Sequence, residues 1–148
     1  MRVGVRLGLD IGSKRIGVAR CDRDGLLAVP VIALDATADW KRALRSLLDE
    51  YEVFEIVVGI PVSLRGAEEV AAQQIRERVA EIKAEFPGLP IRGVDERMSS
   101  AAANKQLREA GHSTRSARTH VDSLAAAGIL EFALEIERRT GQPAGELM

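Results

Sequence analysis

A chain of 148 residues, 46% hydrophobic and 29% charged, has the size and composition of one globular domain with one real core. Its formal net charge of −1 excludes a uniformly basic surface, so any contact with nucleic acid has to be local. The single cysteine, Cys21, can form no internal disulfide, and no uncharged apolar run approaches membrane-spanning length, so the chain is expected to be soluble and cytoplasmic.

Val3 to Ile11 is aliphatic and β-branched with interspersed glycines, the pattern of a central strand. Ile16 to Cys21 and Leu26 to Leu34 read as two further strands, with Asp24-Gly25 as the hairpin turn between them. "DWKRALRSLLDEY" then sets Trp40, Ala43, Leu44, Leu47 and Tyr51 on one helical face. "FEIVVGIP" is a short buried strand stopped by Pro61. The stripe Ala71, Ile75, Val79, Ile82 and Phe86 predicts a long helix over Ala67 to Phe86, closed by Pro87-Gly88. "PIRGVDE" makes a fifth strand, Ser99 to Ala110 a short helix, and Arg115 to Arg139 a final long one. The expected architecture is α/β: a five-stranded mixed sheet, with a three-strand antiparallel meander and two parallel strands, and helices on both faces. One domain should run to about residue 140, followed by a flexible tail over 141–148.

Three acids stand where burial is expected. Asp10 ends the first apolar strand in "GLDIGSKRIGVA". Glu96 follows the last strand in "VDERMSS", with Asp95 beside it. Asp122 falls on the helical face of Ala125, Ala126, Ile129, Ala133 and Ile136, whose small side chains would let the helix lie close on the sheet. Singly, each has an ordinary alternative: a turn cap for Asp10, a helix N-terminal acid for Asp122, a surface salt bridge with Arg97 for Glu96. Together and ionised, they would repel one another unless a divalent cation sat between them. Carboxylate oxygens suit Mg²⁺ or Mn²⁺, and a site of this type performs metal-assisted phosphodiester hydrolysis.

"GLDIGSKRIGVA", "IVVGIPVSLRG", "VDERMSS" and "VDSLAAAGIL" resemble, in order and spacing, the motif blocks of the YqgF (RuvX-type) family. Its members are described as Holliday junction resolvases and as nucleases acting on the 5′ end of pre-16S rRNA. The resemblance covers about Gly8 to Leu130 and implies an RNase H-like fold whose second strand is antiparallel to the rest. It also implies a catalytic divalent-metal site of Asp10, Glu96 and Asp122. In that reading Asp10 bridges two ions, Glu96 and Asp122 each help hold one, and Asp95 is structural. The chain departs from the family at "PVSLRGAEE" (Arg65 replaces an expected acidic character) and in the modest basicity of "STRSARTHVD".

From Arg97 to His120 cations outnumber acids, with Glu109 the single carboxylate, and Lys14 and Arg15 add charge at the turn after Asp10. Lys14, Arg15, Arg97, Arg115 and Arg118 are the candidate phosphate contacts; Lys105 and Arg108 serve equally well as a solvated helix face, and His112 and His120 as surface residues. Aromatic residues are scarce at 3%, which favours recognition of backbone shape, as in structured RNA or branched DNA, over base stacking. The leading expectation is a metal-dependent endonuclease maturing pre-16S rRNA. The alternatives are a Holliday junction resolvase working as a homodimer and a non-catalytic ribosome-assembly factor. The first hairpin also looks like the phosphate loop of sugar kinases and actin-like ATPases, but those need two lobes and give no reason for Asp122.

Overall fold

The structure, a computed structural model, describes residues 1–61, 66–98 and 115–148, with side chains throughout these except at 67, 68 and 115–119. Its strands are β1 (Val5–Ile11), β2 (Arg15–Cys21), β3 (Ala28–Asp35), β4 (Val53–Ile60), β5 (Ile91–Asp95) and β6 (Glu146–Leu147). The helices are α1 (Trp40–Glu50), α2 (Ala67–Glu85) and α3 (Arg115–Thr140), and a 3₁₀ turn spans Glu96–Met98. The helix expected over Ser99–Ala110, with Lys105, Arg108 and His112, lies outside the described residues, as does the segment 62–65.

One sheet in the order β3-β2-β1-β4-β5-β6 organises the molecule. β2 runs antiparallel to β1 and β3, while β4 and β5 run parallel to β1. This is the RNase H-like arrangement. The strand count is six rather than five, because the presumed tail turns back. Gly145 adopts a positive φ, Ala144 is buried, and Glu146–Leu147 pair antiparallel with β5.

Alternation along β1 divides the core. Leu7, Leu9 and Ile11 face α1 and α2, packing with Trp40, Leu44, Ile75, Val79, Ile82 and Phe86. The α2 stripe starts at Ala72, not Ala71, which is only half-buried. Arg6, Gly8 and Asp10 point the other way, toward α3. The small side chains on α3 do let it lie close: a Cβ added at Gly8 would come within 2.6 Å of the Ala126 carbonyl oxygen.

Two sequence boundaries shift for identifiable reasons. β3 begins at Ala28 and not Leu26, because the Asp22 carboxylate accepts the Leu26 and Leu27 N–H groups at 2.8 and 2.9 Å and closes them into a turn. On α3 the fully buried position near the C-terminal end is Glu137, while Ile136 packs half-buried against the same core. Glu137 meets the buried Arg6 at 2.6 Å, and Arg2 bridges it to Glu55, which also accepts from Arg92 at 3.1 Å. Burial pushes the Glu137 carboxyl upward, but hydrogen bonds from Arg2 and the field of Arg6 outweigh it and hold it below the usual glutamate range.

Candidate metal centre and nucleic-acid interface

Asp10 sits one residue from the end of β1 and is 3% exposed. The strand register places Gly17 of β2 directly opposite it. On the other side Leu9 pairs with Val58, so the next residue of β4, Gly59, flanks Asp10. The row across the sheet is therefore Gly17–Asp10–Gly59, on neighbouring strands roughly 4.8 Å apart. Both glycines make room for α3, Gly17 at Asp122 and Gly59 at Ile129. A Cβ at Gly17 would overlap the Asp122 carbonyl, so the α3 backbone rests on that position. A Cβ at Gly59 would overlap the Ile129 side chain of α3, 2.5 Å from its Cδ1, and would lie 3.7 Å from the Glu96 Cβ, so Glu96, carried past β5 by its 3₁₀ turn, borders the second glycine beside Ile129.

The structure thus brings Asp10, Glu96 and Asp122 to one end of one sheet face, one acid in the middle and one above each neighbouring strand. Glu96 is 7% and Asp122 1% exposed. Asp122 lies two turns inside α3, which has no acid in its first turn, so its position is not that of a helix N-terminal acid. Among the described residues, no hydrogen bond reaches the buried Glu96 Oε1 and Asp122 Oδ1, while both carboxylates are otherwise engaged. Three buried carboxylates are a donor set whose hard-oxygen chemistry fits Mg²⁺ or Mn²⁺. Among the described residues, no three acidic, histidine or cysteine side chains converge closely enough to cage an ion as they stand.

One cation is already at the row. Arg15, at the start of β2 and 30% exposed in its side chain, donates from Nε to Asp122 Oδ2 at 2.5 Å. Charge pattern alone places Arg15 among the phosphate contacts; its pairing with an acid 107 positions away is invisible in the sequence. Lys14 is exposed in the turn between β1 and β2. Arg97 is also exposed, and its partner is Asp95 and not Glu96. Arg97 Nε and Nη2 donate to the Asp95 carboxylate at 3.2 and 3.0 Å, and those bonds, against a smaller burial effect, lower the Asp95 carboxyl below its usual range. This leaves Asp95 as a turn-forming acid. His120 is exposed. Arg115 and Arg118 belong to the first turns of α3 by backbone, with side chains outside the described residues. The Arg2–Arg6–Glu55–Glu137 network, at the opposite end of the same face, escapes a search for misplaced acids. Its signal is Arg6, which shares strand parity with Asp10.

The model of the family described as "RuvX: Holliday junction resolvase" matches residues 4–136. A Streptomyces coelicolor protein named "Putative pre-16S rRNA nuclease" is 46% identical over 99% of this chain and 89% of its own length. A Nocardioides protein of the same name is 43% identical over 100% of this chain and 98% of its own. Among solved structures, Thermus thermophilus RuvC in complex with a Holliday junction substrate superimposes with a TM-score of 0.58 at 14% identity. It covers 98% of this chain and 99% of RuvC, a likeness of fold. No helix among the described residues is long and apolar enough to cross a membrane. With a family match over nearly all of its length and relatives above 40% identity end to end, the chain belongs to the RuvX family.

Proposed function

We propose that this chain is a divalent-metal-dependent endonuclease acting in the cytoplasm on structured nucleic acid, with the 5′ end of pre-16S rRNA as its substrate. The observation that carries the reading is the Gly17–Asp10–Gly59 row with Asp122 packed on Gly17 and the buried Glu96 beside Gly59. Three buried carboxylates in that arrangement are an electrostatic cost to the fold that a cation offsets. Asp10, Glu96 and Asp122 would hold Mg²⁺ or Mn²⁺. Such an ion supplies an activated water and charge stabilisation for the leaving oxygen. Lys14 and Arg97 lie exposed near the row, and Arg115 and Arg118 precede Asp122 by seven and four positions; these cations would position backbone phosphates without reading bases. The names of the full-length relatives favour RNA as the substrate.

The family's description and the RuvC-like fold favour a second reading, Holliday junction resolution by a homodimer. One assay separates the two. Wild-type protein is incubated in Mn²⁺ or Mg²⁺ with a pre-16S 5′-leader RNA and, separately, with a four-way DNA junction. Cleavage of the RNA with the junction intact is the expected result. Symmetric junction cuts with intact RNA would replace the first reading by the second, and no cleavage of either would leave a binding factor.

A further inference from the structure

The Arg15–Asp122 pair places a guanidinium on an oxygen that the reading above assigns to a metal ion. Arg15 reaches it from β2, two residues before Gly17 and on the same sheet face, and a third of its side chain stays open to water. Asp122, by contrast, is fixed: its backbone rests on Gly17 and its carboxylate is buried. The mobile partner is therefore the arginine. A guanidinium and a divalent cation on the same carboxylate repel each other strongly in a partly desolvated site, so the two compete for Asp122.

We infer that Arg15 is a stand-in cation. It neutralises Asp122 while no metal is bound, and yields that carboxylate when a divalent ion arrives. Its released guanidinium is then free to contact a backbone phosphate on the exposed side, where Lys14 already lies. Metal binding and nucleic-acid binding are thereby coupled through one side chain, and linkage makes the coupling reciprocal. The inference rests on the metal-site reading and deepens it: Arg15 is a positioning residue that exchanges partners.

Calorimetry of added Mn²⁺ without nucleic acid tests it on wild type, Arg15→Gln and Arg15→Lys, with circular dichroism to establish folding. Arg15→Gln is expected to bind Mn²⁺ more tightly by roughly tenfold, within the ordinary range of site-to-site coupling, and Arg15→Lys by less. In wild type, the Arg15 Nε–H resonance should lose its hydrogen-bonded shift and its protection from exchange on addition of Mg²⁺. Equal Mn²⁺ affinity in all three proteins would overturn the inference and leave the metal site standing. Weaker binding by Arg15→Gln would also overturn it, making Arg15 a support that holds Asp122 in place. Folded proteins none of which binds Mn²⁺ would overturn the metal-site reading itself. Should Arg15→Gln fail to fold, Arg15→Lys and the wild-type resonance carry the test.

Discussion

At the scale of single residues, the proposed site gathers buried acids whose charge the fold has to compensate. Asp10 lies between two glycines, with Asp122 packed on Gly17 and Glu96 beside Gly59. Neutralising it should relieve repulsion while keeping shape and hydrogen-bonding capacity. Asp10→Asn is therefore expected to melt no lower than wild type, and a thermal unfolding comparison checks this; a marked drop in Tm would show that the charge supports the fold. Gly17 behaves oppositely. Its replacement by alanine drives a methyl group into the α3 backbone at Asp122, so Gly17→Ala should lose roughly 1–3 kcal/mol in denaturant unfolding. The three acids were legible in the sequence because each interrupts an apolar pattern. Arg15 was legible only as a charge: its partner is set by how α3 crosses β2, and local spacing carries no record of that.

At the scale of elements, strand alternation and helical periodicity identify β1 to β5 and the three described helices, since burial of one face dictates both. What they miss is decided by polar partners. Leu26 and Leu27 read as strand until the Asp22 carboxylate captures their N–H groups, and the helical face that puts Ile136 against the core gives no sign of the buried Glu137 that meets Arg6. Glu137, held by Arg2 and Arg6, also sets a pH dependence. Glu137 titrates below the usual glutamate range in the folded protein, so its stabilisation is present above the unfolded value and lost as pH falls through the lower, folded one. Glu137→Gln should lose about 3–5 kcal/mol at neutral pH by leaving buried Arg6 uncompensated. It should also flatten the acid limb of a stability–pH profile. β6 was hidden in a short polar tail because two residues carry no periodicity. Removing residues 141–148 bares the β5 edge and the pocket of Ala144, and should lower Tm by several degrees, at roughly 2–4 °C per kcal/mol for a chain of this size.

At the scale of the whole molecule, α3 ties two ends of one sheet face together. At one end Arg2, Arg6, Glu55 and Glu137 are mutually compensated and hold the helix on the sheet; at the other, Asp10, Glu96 and Asp122 gather, with Arg15 paired to Asp122. The compensated end holds the helix on the sheet, and under the proposed function the acidic end is the one a cation would occupy. Net charge near zero hides both, which is why bulk composition says little here about function. The most direct test of the central claim is the cleavage rate on a pre-16S 5′-leader RNA in Mn²⁺, measured side by side for wild type, Asp10→Asn, Glu96→Gln and Asp122→Asn. The account predicts that each variant, folded by circular dichroism, loses at least about a hundredfold of the rate. A folded variant that cuts as fast as wild type would contradict it.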